Sequence, residues 1–189
     1  MLRFNGCVVA SALMTSDFLK MIQSRTARLA VGASAVRGRG HAGTVPAARG
    51  FLRGVDLRTF GTSDAAKFMR ALDRNTLALQ RTLPRAARRW GIARKVMNLF
   101  LQHCLYTTYL NEGFGLQRAE HLFELPLDSI TGKNLVQIVG RPRLPRWPGV
   151  KHLTAKVSAE FQAVAAHAAA ARGIARIHLD ALWWSMERD

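Results

Sequence analysis

The sequence predicts an all-α fold, a compact bundle of five or six helices that begins at Ser63. Apolar residues recur every three or four positions in several segments, which is the periodicity of amphipathic helices. No period-2 run with a hairpin turn is present, so little or no sheet is expected. The chain has 189 residues, of which 49% are hydrophobic, and this is enough for one ordinary core.

The first convincing helix is predicted from Ser63 to Leu83, with Ser63 as a candidate N-cap and Pro84 at its end. A central buried helix follows from Gly91 to Leu110, too short in apolar residues for a membrane span, so no membrane contact is expected. Gly113 and Gly115 offer it a left-handed cap. Later helices are predicted at residues 116–123, 129–139, 154–172 and 174–184.

Residues 1–60 are predicted to form a basic, poorly ordered N-terminal arm ahead of a single helical domain at residues 61–189. The first 50 residues contain seven Lys or Arg and one acid, Asp17, with little apolar periodicity after Met21. Three interpretations stay open: a targeting leader, a disordered arm, or an over-extended start of the reading frame. Asn5 and Gly6 interrupt the apolar region that a secretory signal needs.

The formal charge of +16 is the most informative bulk property. It causes self-repulsion unless a polyanion offsets it, so nucleic acid is the first candidate partner. Seven basic residues and no acid lie between Arg74 and Lys95, and Arg85, Arg88 and Arg89 are spaced to share one helical face. The pattern indicates either a solvated basic face or contacts with phosphate.

Residues 140–149 form a loop, because three prolines in ten positions exclude a regular helix or central strand. Arg141, Arg143 and Arg146 are predicted to hold a phosphate backbone while Trp147 stacks on an unpaired base. The alternative is a connector whose tryptophan packs into the core.

The two cysteines, Cys7 and Cys104, are far apart and show no C-x-x-C spacing, so neither a disulfide framework nor a zinc site is predicted. His167 stands alone on its helix, without a second ligand at helical spacing. We expect no metal and no other cofactor, and a reduced cytoplasmic setting fits the cysteine usage.

The stretch Gly91-Ile-Ala-Arg-Lys-Val-Met-Asn-Leu-Phe-Leu101, followed by Leu127-Asp128-Ser129, forms a recognisable pattern. It resembles the hairpin and second helix of the helix-hairpin-helix DNA glycosylase superfamily, of the endonuclease III type. That family has roughly G-V-G-R-K-T-A-N-x-x-L and then V-D-T-H. This chain has Ala93 in place of the second glycine and Ile130 in place of the histidine, and 33 positions separate Lys95 from Asp128.

The resemblance implies that Lys95 attacks the sugar carbon and that Asp128 stabilises the sugar cation or activates the nucleophile. It also implies that the backbone from Gly91 to Ala93, with Arg94 beside it, holds a phosphate of duplex DNA. A simpler interpretation of Asp128 is an ordinary N-cap for the helix that follows it.

We therefore expect a DNA-binding protein that resembles a base-excision DNA glycosylase. It is either an active enzyme or a reduced, inactive relative, because only one clear helix precedes the hairpin pattern. The alternative is a small non-enzymatic helical protein with a basic surface, whose Trp183 and Trp184 anchor an interface. The oligomeric state stays open.

Overall fold

The computed structural model describes residues 16–32, 42–140 and 143–186, without the side chains of residues 184–186. These residues form an all-α fold without strands, which confirms the predicted fold class. Within the described residues, eight α-helices are joined by turns and short 3-10 segments: α1 (Ser16–Ala30), α2 (Thr44–Arg53), α3 (Ala65–Thr82), α4 (Trp90–Tyr106), α5 (Thr108–Phe114), α6 (Ser129–Val139), α7 (Ala155–Ala170) and α8 (Leu179–Met186). Six of these helices follow Ser63, within the predicted five or six, but the helix predicted at residues 116–123 is instead the 3-10 segment Leu116–Leu122.

Helix α4 is the centre of the fold and packs against α1, α3 and α5. Met97 and Phe100 are fully buried, and most of the helix surface is covered by neighbouring elements. The predicted single helix to Leu110 is divided in two, because Thr107 has extended backbone angles and ends α4. Gly115 then ends α5 with φ of 63°, so the left-handed glycine cap is confirmed at this position.

Helix α3 carries its apolar residues on the side that faces α4, and Phe68, Leu72 and Leu79 are fully buried there. Its N-cap is Asp64, whose side chain accepts the backbone N–H of Lys67 at 3.0 Å. The cap was expected one residue earlier, at Ser63. Aspartate in this place also complements the helix dipole.

The predicted poorly ordered arm is wrong for residues 16–32 and 42–60. Helices α1 and α2 pack against each other, and the Gln23 amide donates to the carbonyls of Leu52 at 3.0 Å and Val55 at 2.8 Å. The predicted boundary at residue 61 cuts through one hydrophobic cluster, which contains buried residues from Ala27 to Phe123. The expectations for residues 1–15 and 33–41 lie outside the described residues.

A second hydrophobic cluster is formed by α6, α7 and α8 with the preceding loops. Phe161 and Leu179 lie at its centre. In the described part of the chain, every helix is too short or too polar to cross a lipid bilayer.

Candidate functional site

Lys95 on α4 and Asp128 at the start of α6 lie side by side, although they are 33 positions apart. The Lys95 Nζ atom lies 3.3 Å from Asp128 Oδ2, and each side chain is 13% exposed. The pair is therefore largely desolvated, but solvent or a bound ligand can still reach it. The structure brings together the two side chains to which the family pattern gives chemical roles.

Asp128 uses its other oxygen to cap helix α6. Its Oδ1 atom accepts the backbone N–H groups of Ile130 at 2.9 Å and Thr131 at 3.1 Å, and the Thr131 hydroxyl accepts the Asp128 N–H at 2.8 Å. This reciprocal capping box fixes the carboxylate rigidly. The capping role and a chemical role are compatible, since Oδ1 holds the helix while Oδ2 faces Lys95.

A second carboxylate, Asp180 in the first turn of α8, interacts electrostatically with both Asp128 and Lys95. Burial raises the pKa of Asp180 from 3.8 to about 6, and the negative charge of Asp128 contributes in the same direction. Lys95 and a hydrogen bond from Gln102 act the other way. We call Lys95, Asp128 and Asp180 the acid–lysine cluster; sequence reasoning missed Asp180, because only the tertiary packing of α8 brings it to Lys95.

The segment that carries Asp180 is held on α4 by a chain of polar contacts. The Gln102 amide donates to the carbonyl of Ile177 at 2.9 Å. His178 Nδ1 lies 2.8 Å from the Tyr106 hydroxyl, and its Nε2 lies 2.6 Å from Glu120 Oε1. The Tyr106 and His178 rings also stack, with centroids 5.5 Å apart. These contacts fix α8 at its first turn, and so position Asp180.

Gly91, Ala93 and Arg94 are buried, and the structure contradicts their prediction as phosphate contacts. The stretch is the first turn of α4 rather than an open hairpin loop. Gly91 allows the segment at Val150 to pack directly on this turn: a Cβ atom at Gly91 would lie 2.2 Å from the Val150 carbonyl oxygen. The space beside the Gly91 backbone is therefore filled by another segment of the same chain.

The Arg94 guanidinium has a structural role. It forms a two-point interaction with Glu124, Nε to Oε2 at 2.8 Å and Nη2 to Oε1 at 3.0 Å. Its Nη1 atom lies 2.8 Å from Asp73 Oδ1, and the group stands 5.4 Å from the centre of the Trp90 ring. A charge buried in this way is stabilised by its partners and is not available to DNA.

Five predicted DNA contacts remain at the surface: Arg85, Arg88, Arg89, Arg143 and Arg146. The first three precede α4, and the other two lie in the loop that leads to residues 150–152, which pack on α4. Both basic stretches therefore approach the start of the same helix. Arg141, another of the predicted arginines, lies outside the described residues.

Trp147 is half-buried and packs against the second hydrophobic cluster, whereas the sequence prediction placed it on an unpaired base. Its ring meets Phe161 edge-on, with centroids 5.2 Å apart, and its other neighbour is the backbone at Gly132. The connector interpretation of this loop describes the structure. Trp183 is also buried at 6% exposure, so it does not present an exposed interface anchor; the side chain of Trp184 lies outside the described residues.

No family model, curated protein or solved structure matches this chain. Two features of the described residues bear on function: the acid–lysine cluster and the exposed arginines around the start of α4. The cluster places an amine, a rigid carboxylate and a carboxyl group of raised pKa within one partly buried site.

Proposed function

We propose that this protein binds duplex DNA and removes damaged bases as a DNA glycosylase with strand-nicking lyase activity. The observation that carries the proposal is the partly buried pair of Lys95 and Asp128, with 3.3 Å between Nζ and Oδ2. These two residues match the nucleophile and the acid of the family pattern. Their meeting in space supports the proposal, because an amine and a carboxylate must lie at one site to share a reaction.

In the proposed reaction, the damaged nucleotide rotates out of the duplex to reach the cluster. The neutral Lys95 amine attacks the anomeric carbon of the sugar, and the bond to the base breaks with its electron pair leaving on the base, which takes up a proton. The sugar ring then opens as its oxygen takes up a proton, which gives an iminium linkage between Lys95 and the sugar. Loss of a proton from the adjacent carbon expels the 3′ phosphate and nicks the strand, and hydrolysis of the iminium by water then releases the Lys95 amine.

Lys95 must lose a proton before it attacks. We assign the role of proton acceptor to Asp180, because burial raises its pKa to about 6, a value that suits a general base near neutral pH. Asp128 is instead fixed by two backbone N–H groups on Oδ1. We assign to its Oδ2 face the stabilisation of the positive charge that develops on the sugar.

The exposed arginines before α4 and in the following loop supply the contacts with the DNA backbone. Arg85, Arg88 and Arg89 are free of carboxylate partners within the described residues, so their charge is available to phosphates. Each neutralised phosphate releases condensed counterion, and binding should weaken steeply as salt rises.

The test is a strand-nicking assay on a panel of duplexes that each carry one base lesion. Wild type should release a base and nick the strand, and borohydride should trap a covalent protein–DNA adduct. Lys95→Gln should abolish nicking and trapping. Asp128→Asn should lower turnover about 100-fold or more, through loss of electrostatic stabilisation, while it keeps the fold, because asparagine also caps helices well.

Lys133→Gln is the matched control, since Lys133 is an exposed lysine on α6 near Asp128 in sequence. It should retain wild-type activity. Wild-type protein that binds duplex DNA but releases no base from any lesion would reduce the proposal to a non-catalytic binder. Unchanged turnover in Asp128→Asn would show that this carboxylate is only a helix cap.

A further inference from the structure

A basic cavity lies between the 3-10 segment Leu57–Phe60 and the first half of α3. Its volume is about 340 Å³, within the range of about 300–1,000 Å³ typical of small-ligand sites. The side chains that line it are cationic or hydroxylic apart from Ala71: Arg58, Lys67, Arg70, Arg74, Thr59 and Thr62. None of the described residues that line the cavity is acidic.

The cations of this cavity are only partly neutralised by the protein. Arg58 has Asp56 at 3.9 Å, and Lys67 has Asp64 at 3.6 Å. In the part of the chain that the structure describes, no ion pair reaches Arg70 or Arg74. Lys67, Arg70 and Arg74 follow each other at one-turn spacing on α3, and like charges at this spacing oppose helix formation. An anionic ligand would remove that repulsion.

The donor set fits a tetrahedral oxyanion best. The planar guanidinium fork matches two oxygens of a phosphate at once, and a lysine adds a mobile point charge. Two threonine hydroxyls can donate to the remaining oxygens. We propose that this cavity binds a phosphate group, at a place separate from the acid–lysine cluster.

The phosphate has two candidate sources, a nucleic-acid backbone and a free phosphate ion. A nucleic-acid backbone is the favoured source, because positive charge continues along α3 beyond the cavity. Arg81 follows Arg74 by seven positions, which is two helical turns, and it is also exposed. Arg85 and Arg88, which follow the helix in the chain, are exposed as well. This choice of source rests on the proposed DNA binding, whereas the phosphate chemistry of the cavity does not.

The first arm of the test measures affinity for a duplex across a salt series, by fluorescence anisotropy. In Arg70→Gln/Arg74→Gln, the loss of charge-assisted contacts should weaken binding about tenfold or more. The slope of log K against log salt should flatten by about 1 to 2, at roughly 0.9 per lost phosphate contact. Arg70→Lys/Arg74→Lys should keep most of the slope, because the charge remains.

Arg25→Gln/Arg28→Gln is the matched control. It removes the same two charges from an exposed pair on α1, and neither residue lines the cavity. This variant should keep the wild-type slope. Thermal unfolding followed by circular dichroism should show that both double variants are folded.

The second arm titrates inorganic phosphate and pyrophosphate into the protein, and follows the amide signals of Thr59 and Thr62 by NMR. Shifts in wild type that are absent in Arg70→Gln/Arg74→Gln, together with unchanged DNA affinity, would assign the cavity to free phosphate. If neither arm distinguishes the cavity variant from wild type, the inference is overturned. If the wild-type protein does not bind duplex DNA, the proposed function is wrong. The phosphate titration alone then tests whether the cavity binds phosphate.

Discussion

The carboxylate of Asp128 serves two neighbours at once, and this limits what its position in the sequence can reveal. Oδ1 accepts two backbone N–H groups of α6, as any good N-cap does, while Oδ2 faces Lys95. A capping aspartate is visible in the sequence, but its lysine partner lies on another helix. Only the family pattern linked the two residues in advance. Asp180 was outside that pattern, and its role depends on how α8 packs.

The raised pKa of Asp180 makes stability depend on pH in a definite direction. The carboxyl binds its proton more tightly in the folded state, with a pKa of about 6, than in the unfolded state, with a pKa near 3.8. Its contribution to the free energy of unfolding is therefore fully present below about pH 3.8, and is lost as pH rises through about 6. The Asp180→Asn variant has no carboxyl group to ionise at this position, so its free energy of unfolding does not fall in this way. Relative to wild type, the variant should gain on the order of 1 kcal/mol between pH 4 and pH 7.

Urea unfolding of both proteins from pH 4 to pH 8 measures this difference. Asp64→Asn is the control, because the Lys67 N–H donates to Asp64 and lowers the pKa of its carboxyl below 3.8. The stabilising contribution of Asp64 is lost only as pH falls through that lowered pKa, so this variant should show no gain in the same window. A constant difference between wild type and Asp180→Asn would show that Asp180 is not desolvated.

At the scale of elements, the predicted helices agree with the structure where capping chemistry or strong periodicity marks them. Residues 129–139 were predicted from the aspartate cap and form α6, and residues 154–172 contain α7 (Ala155–Ala170). Helices α1 and α2 were missed, because they bury small or polar residues such as Thr26, Ala27 and Ala48. Such residues give a weak hydrophobic pattern, although they permit close helix packing.

Helix α6 depends on a glycine at its contact with the Pro-rich loop. A Cβ atom at Gly132 would lie 2.4 Å from Cδ2 of the Trp147 indole, a rigid ring that also packs on Phe161. Gly132→Ala should therefore lower the free energy of unfolding by about 1–3 kcal/mol, as overpacked cores do. The measurement is urea unfolding, with near-ultraviolet circular dichroism to follow the tryptophan environment.

Gly50→Ala is the matched control for this substitution. Gly50 also lies inside a helix, α2, but nothing stands within 4 Å of the added Cβ atom. There alanine should stabilise the protein by about 0.5–1 kcal/mol through its higher helix propensity. Equal effects of the two substitutions would mean that Trp147 is not held against α6.

At the scale of the whole molecule, α4 connects the hydrophobic clusters, the buried Arg94 network and the acid–lysine cluster. Arg94 joins α3 through Asp73 and the segment before α6 through Glu124. Lys95, the next residue in the chain, forms an ion pair with Asp128. Adjacent positions on one helix therefore hold the fold together and form the candidate site. The sequence located this helix, because its run of uncharged residues is long, but the burial of Arg94 depends on acids far away in the chain.

Residues 16–32 and 42–60, which the sequence assigned to an arm, belong to the core of the structure. Leu52, Leu57 and Phe60 are fully buried in the same cluster as α3 and α4. Removal of one such side chain costs about 2–5 kcal/mol, and the stability of a whole domain is only about 5–15 kcal/mol. The fragment of residues 61–189 should therefore lack a cooperative thermal transition, as measured by circular dichroism.

Full-length Leu52→Ala is the comparison for this fragment, because it removes one of the same contacts and leaves α1 and α2 in place. It should unfold cooperatively at a lower midpoint than wild type, since about 2–5 kcal/mol is lost from an otherwise complete core. A fragment of residues 61–189 that unfolds cooperatively at the wild-type midpoint would support the arm interpretation. The expected result is a fragment without a cooperative transition and a Leu52→Ala protein with a lowered transition midpoint. That result would show that α1 and α2 belong to the folding unit that holds Lys95 and Asp128 together.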